Sequence, residues 1–197
     1  MDSIKVEYTS INIPTYKWEK EDPEPPLIKE FTPRGQPIYP YSTQEVISEQ
    51  KISYQYEAII LENEYIKLTF LPELNGRLYS AFDKVNKKEM FYNNTLIKPS
   101  LLGSRGAWAA IGIEYNFPNS HSTTTLEPVG WKIKKYEDGS ASFIAGNIEW
   151  VSRMGWSVEV KLSPENAIIE MESKLFNFTE FPQRFYYWVN AAVPIYP

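Results

Sequence analysis

The 197-residue sequence contains no cysteine, which rules out disulfide frameworks, thiolate metal sites and cysteine nucleophiles. Histidine is almost as scarce, and His121 is the single example. One imidazole and scattered carboxylates offer no zinc spacing, and there is no Asp-rich calcium loop, so no metal is expected. Long apolar runs are missing too. None approaches the roughly 18 residues that span a bilayer. Met1-Asp2-Ser3-Ile4-Lys5 has neither the apolar core nor the small-residue cleavage site of a signal peptide. A cytoplasmic protein with no membrane partner is the expectation.

Twenty basic residues against twenty-five acidic ones give a formal charge of −5. No Lys/Arg cluster stands free of interleaved acids, which argues against nucleic acid as a partner. No phosphate loop or dinucleotide fingerprint occurs. Gly103-Ser104-Arg105-Gly106 lacks the flanking strand and helix that such a motif needs, and no cofactor is expected. Ser122, next to His121, has no nucleophile-elbow context, which removes a serine triad.

Aromatic residues, by contrast, make up 15% of the chain, with fourteen Tyr and six Trp. Such enrichment suits β-sheet cores and sugar-binding faces alike. Hydrophobic residues at 43%, over this length, suit one well-buried domain. Residues 4–13 alternate apolar and polar and read as an opening strand. Beyond them Pro14 to Pro40 encloses Pro23, Pro25, Pro26, Pro33 and Pro37. Proline at that density excludes a regular helix or a central strand. Residues 14–50 are therefore expected to form an extended arm over a sheet, reaching toward a neighbouring subunit, with Glu19 to Glu24 as solvated surface.

From Ile52 the pattern is continuously β. Ile66, Leu68 and Phe70 face opposite Lys67 and Thr69, and Trp156, Val158, Val160 and Leu162 face opposite Ser157, Glu159 and Lys161. Pro72-Glu73-Leu74-Asn75-Gly76 predicts a turn with Gly76 at positive φ, and Asp138-Gly139 a hairpin. A strand pattern broken at Gly146 spans residues 142–151, and residues 184–193 read as a nearly apolar, buried, central strand. The expected fold is all-β, a large antiparallel β-sandwich. Residues 1–50 supply its first strand and arm, and residues 51–197 its core.

Residues 93–128 form a long irregular insertion, and such loops are usually functional. Within it Gly106 to His121 brings Trp108, Glu114, Asn116 and His121 into fourteen positions. Small residues allow close approach of backbone to ligand, and Gly112 permits dihedrals that a Cβ forbids. An indole, a carboxylate, an amide and an imidazole suit a polyhydroxylated ring, whose apolar face stacks and whose hydroxyls need paired donors and acceptors. Neither strand nor helix periodicity accounts for the stretch. Each residue also has a plainer reading. A lone histidine is ordinarily structural, Trp108 serves equally as core, and a buried Glu114 needs a partner that Arg77 or Arg105 would supply.

Three segments carry a resemblance. They are Leu61 to Leu78, with its Pro72-Glu73-Leu74-Asn75-Gly76-Arg77 turn, Gly106 to His121, and Phe185 to Val193. Together they resemble the galactose mutarotase-like superfamily, in particular an uncharacterised branch often fused to tetratricopeptide repeats. The resemblance implies a β-supersandwich and a sugar site. Asn75 and Ile111 stand where that family usually has glycine. The relatives also run on past the position of Pro197, so the chain is expected to be truncated relative to them. The late general-base glutamate of aldose epimerases then has no counterpart.

The leading expectation is a carbohydrate-binding domain, with Arg77, Trp108 and Asn116 binding the ligand beside Glu114 and His121. Alternatively, the protein is an aldose 1-epimerase, with His121 as acid and Glu114 as base on opposite sides of the sugar. A glycoside hydrolase would pair Glu114 with Glu127 or Glu73. A third expectation is a non-catalytic assembly module, dimerising through the N-terminal arm or the C-terminal edge strand.

Overall fold

A computed structural model describes residues 3–19 and 25–195. Three sheets hold its strands, and a 3-10 turn, Lys29–Phe31, lies in the arm. The largest runs through β1 (Lys5–Glu19), β2 (Val46–Glu62), β3 (Ile66–Leu71), β4 (Arg77–Asp83), β8 (Ile113–Asn116) and β13 (Trp188–Ala191), with β5 (Lys88–Glu89) paired to β4. The second is ordered β12 (Ile169–Asn177), β11 (Met154–Leu162), β10 (Ala141–Glu149), β9 (Gly130–Lys135). A two-stranded ribbon joins β6 (Ser100–Gly103) to β7 (Gly106–Trp108). All pairings between these strands are antiparallel. The protein is an all-β antiparallel sandwich, as the alternation predicts.

The two main sheets meet over one apolar core. Leu61, Leu68, Phe70 and Tyr115 enter it from the large sheet, and Phe143, Trp156, Val158 and Val160 from the smaller one. Phe70 stacks on Phe143 with ring centroids 4.3 Å apart. A strand alternates its side chains between faces, so the large sheet also presents a second, outer face. That face is not open to water. Tyr56, Ala58, Leu71 and Tyr79 pack there against Ile97, Ala107, Ala109 and Ile111 in a second core. The insertion is therefore a packed layer, and its first task is to cover the sheet. Packing explains Ala107, Ala109 and Ile111, contrary to the sequence expectation, and residues 106–108 and 113–116 are strands.

Other boundaries also differ. β1 continues through Pro14 to Glu19, and β2 already begins at Val46, so the arm shortens to the stretch between them. Pro14 is tolerated because β1 is an edge strand, where a missing N–H breaks no second ladder. Its carbonyl accepts the Ile97 N–H at 2.9 Å. In the arm Ile38, Tyr41 and Gln44 are buried, and Gln44 bridges Gly106. The predicted acidic surface lies, for residues 20–24, outside the described residues.

β10 runs unbroken through Gly146, where a Cβ would lie 2.5 Å from the Trp156 carbonyl oxygen. Close approach of the neighbouring strand, not a chain break, selects glycine there. The expected buried strand at 184–193 is short and half open. Only Trp188–Ala191 pairs, while Phe185, Tyr186 and Val189 are exposed. Gly76 does take positive φ, at 64°, and Asn75 before it stands at 61°. Asn75 holds this φ because asparagine tolerates the left-handed region. Its amide also pins the turn, donating to the Tyr115 carbonyl at 3.0 Å and accepting from the Thr124 hydroxyl at 3.1 Å.

Candidate functional site

β8 sends Ile113 and Tyr115 into the inter-sheet core, which turns Glu114 and Asn116 to the outer face. Gly112 brings this strand against β4. Its φ is 52°, and a Cβ there would sit 2.1 Å from the Leu78 carbonyl oxygen. Five side chains from four further parts of the chain then converge on Glu114. Its Oε1 accepts hydrogen bonds from Trp108 Nε1 at 3.1 Å and from the Thr125 hydroxyl, and lies 3.4 Å from Arg77 Nη2. Its Oε2 meets Trp108 Nε1 at 3.1 Å, His121 Nδ1 at 3.1 Å and Asn190 Nδ2 at 3.4 Å.

Glu114 is 1% exposed. Burial alone would raise its pKa, but the Arg77 charge and hydrogen bonds from His121 and Thr125 outweigh it and lower the group to about 2. A permanently ionised carboxylate facing Nδ1 fixes the histidine tautomer. In the neutral ring the proton then sits on Nδ1, facing the carboxylate, and Nε2 is the acceptor. The His121 side chain is 19% exposed, and Nε2 meets no protein partner among the described residues. The ring lies against two half-buried indoles, Trp108 at 4.9 Å and Trp188 at 5.1 Å between centroids. Ser104 Oγ donates to the His121 carbonyl at 2.8 Å and fixes the backbone at that point.

Arg77 and Asn116, expected to touch a ligand, are buried at 1% and 0% exposure. Arg77 Nη1 donates to the Ala109 and Ile111 carbonyls at 2.7 and 3.2 Å, and Nη2 to the Thr125 hydroxyl at 2.6 Å. The guanidinium thus supports Glu114 from behind, partly through Thr125. Asn116 Oδ1 accepts the Ser122 N–H at 3.0 Å, which clamps the chain just after His121, while its Nδ2 has no partner. Both thus brace Glu114 and the chain around His121 from within the core. Trp108, Glu114 and His121 do come together as the sequence suggests.

Trp188, Asn190 and Thr125 were not foreseen. Trp188 and Asn190 arrive through the β8–β13 register, Asn116 opposite Trp188 and Glu114 opposite Asn190, which sequence spacing does not encode. Neither candidate second carboxylate joins the centre. Glu127 pairs with Arg105 at 2.7 Å, and Glu73 accepts from the Tyr54 hydroxyl at 2.9 Å and the Glu57 N–H at 2.8 Å. Among the described residues no group of three or more His, Asp or Glu has the arrangement of a metal site, and no helix is long and apolar enough to cross a membrane.

Fold and centre together define an all-β sandwich domain with an imidazole held by a buried carboxylate. The chain belongs to the family described as a domain of unknown function (DUF5107), whose model matches residues 33–197. It is similar to a TPR-domain containing protein from Parabacteroides distasonis ATCC 8503, with a TM-score of 0.86 and 29% identity over 99% of this chain and 33% of that one. The chain thus spans about a third of the length of that solved chain.

Proposed function

We propose that the domain recognises a carbohydrate, on a galactose mutarotase-like supersandwich, at the centre formed by His121, Trp108 and Trp188. The observation that carries this reading is the presentation of His121. Its Nδ1 is held by an ionised Glu114 at 3.1 Å, which in the neutral ring leaves Nε2 as an acceptor beside two indoles. A sugar hydroxyl donates to such a nitrogen, and the indoles offer apolar surface to the ring's C–H face. Asn190 reaches Glu114 only at 3.4 Å and adds amide groups at the rim.

The catalytic alternative gains less support. A general base works best when its pKa lies near the working pH. Glu114, lowered to about 2 and 1% exposed, is too weakly basic and too enclosed to take a hydroxyl proton. Its chemistry here is to orient His121, and an epimerase or hydrolase needs a second group elsewhere. The assembly reading draws on a different observation. Phe181, Phe185, Tyr186 and Val193 are exposed at 58% or more along the C-terminal segment, and large exposed apolar groups of this kind mark interaction surfaces.

Isothermal titration against neutral mono- and oligosaccharides tests the proposal. Saturable heat in the wild type that is lost in His121→Ala supports it. A panel that gives no heat, or heat unchanged by the substitution, refutes it. Polarimetry on fresh α-glucose and α-galactose then separates binder from epimerase.

A further inference from the structure

A second concave region, away from Glu114, carries its own recognition chemistry. Beyond β10 the chain turns tightly at Glu149, and the next residue, Trp150, is 60% exposed although it is the largest side-chain type. The indole is nonetheless held in place. It stacks on the buried Tyr41 ring at 5.5 Å and 18°, and the Trp150 backbone N–H donates to the Tyr41 hydroxyl at 3.1 Å. Glu149 secures the turn from below, accepting from the Val151 and Ser152 N–H groups at 3.0 and 2.7 Å and from the Ser152 hydroxyl at 2.7 Å. A large exposed aromatic ring on a rigid mount, with no core to fill, is arranged for contact with something outside the chain.

Beside it opens a cleft of about 280 Å³, lined among others by Tyr41, Arg105, Glu127, Asn147 and Trp150. The polar groups on its wall are specific. Arg105 is 3% exposed, with Nε on the Ser42 carbonyl at 2.7 Å, Nη1 on the Thr123 carbonyl at 3.2 Å and Nη1 on Glu127 Oε1 at 2.7 Å. Gln44 Nε2 donates to the same Oε1 at 3.0 Å. Glu127 Oε2 is left with no protein partner among the described residues, on a side chain 27% exposed. The half-buried Asn147 carboxamide likewise makes no side-chain hydrogen bond to the described chain.

We infer that this cleft is a binding subsite for a neutral saccharide residue. The indole of Trp150 offers an apolar platform for a pyranose face. Glu127 Oε2 accepts from a hydroxyl, and Asn147 both donates and accepts. Charge decides between ligand classes. Arg105, the cation among the lining residues, is already paired with Glu127 at 2.7 Å, so phosphate or a uronate finds no unpaired positive charge there and meets the Glu127 carboxylate as well. A neutral polyol makes every contact without that conflict. The subsite does not rest on the reading of the Glu114 centre, because it shares no ligand-facing residue with it.

Titration of the whole chain with glucose, galactose, N-acetylglucosamine and their short oligomers, followed by Trp fluorescence and calorimetry, tests the inference. Trp150→Ala and Asn147→Ala remove exposed or half-exposed groups and leave the core intact. Each should weaken one binding event roughly tenfold or more. Glucuronate and glucose 6-phosphate should bind more weakly than glucose. His121→Ala should leave this event unchanged, so loss in His121→Ala alone would support the Glu114 centre and overturn the subsite. The inference also fails if both cleft variants titrate like the wild type, if no neutral sugar of the panel binds, or if the acidic sugars bind better.

Discussion

Two buried carboxylates sit behind two partly open rings, and they are held in opposite ways. Glu149, 2% exposed, is satisfied by N–H and hydroxyl groups two and three residues further along. Its turn is a local unit that needs no counter-ion. Glu114, 1% exposed, collects its partners from β4, β7, β13 and the 121–125 segment, with Arg77 as counter-charge. A local turn fixes a ring cheaply and tolerates change. A long-range cluster exists only when the whole sheet is in register, so the imidazole it presents reports on the entire fold.

The largest contrast should appear on removing charge. Arg77→Met leaves Glu114 buried and unpaired and should destabilise by about 3–5 kcal/mol, read from the urea midpoint. Full wild-type stability would show that the hydrogen-bond donors alone carry the carboxylate. Acid sharpens the same point. Because folding lowers the Glu114 pKa from 4.5 to about 2, its contribution is complete above pH 4.5 and is lost as pH falls toward 2. Urea midpoints measured across that range should fall less in Glu114→Gln than in the wild type, and parallel curves would contradict the shift.

On the local side, Glu149→Gln keeps one acceptor oxygen and turns the other position into a donor that faces N–H groups. A loss of about 1–3 kcal/mol is expected, smaller than for Arg77→Met. If it exceeds the Arg77 effect, the comparison is inverted. The smallest change is Trp108→Phe. It removes one N–H shared between the two Glu114 oxygens at 3.1 Å each and should lower stability by about 1 kcal/mol. If the domain binds sugar at His121 as proposed, calorimetry should show that binding weaken at the same time, because the carboxylate that holds the imidazole is loosened.

Period-two alternation made the paired strands legible. Ile66, Leu68 and Phe70, like Trp156 to Leu162, bury one face and needed no tertiary information. Pro14 misled because proline density says nothing about whether a given N–H is needed, and at an edge it is not. The apolar run 184–193 misled because hydrophobicity alone does not tell a buried strand from an exposed one. Trp108, Glu114 and His121 were legible because a single stretch carries them. Trp188 and Asn190 were not, since only the register of β13 on β8 delivers them. Arg77 and Asn116 lie beside this centre but are buried, and burial depth is invisible in spacing.

The single histidine makes the central claim directly measurable, since every imidazole nitrogen signal belongs to His121. Long-range ¹H–¹⁵N correlation on labelled protein, recorded where the ring is neutral, should show the Nδ1–H tautomer with an unprotonated Nε2. Addition of a binding neutral saccharide should shift the Nε2 resonance as a hydroxyl donates to it. An Nε2–H tautomer, or an Nε2 signal that stays fixed while a sugar demonstrably binds, would contradict the account.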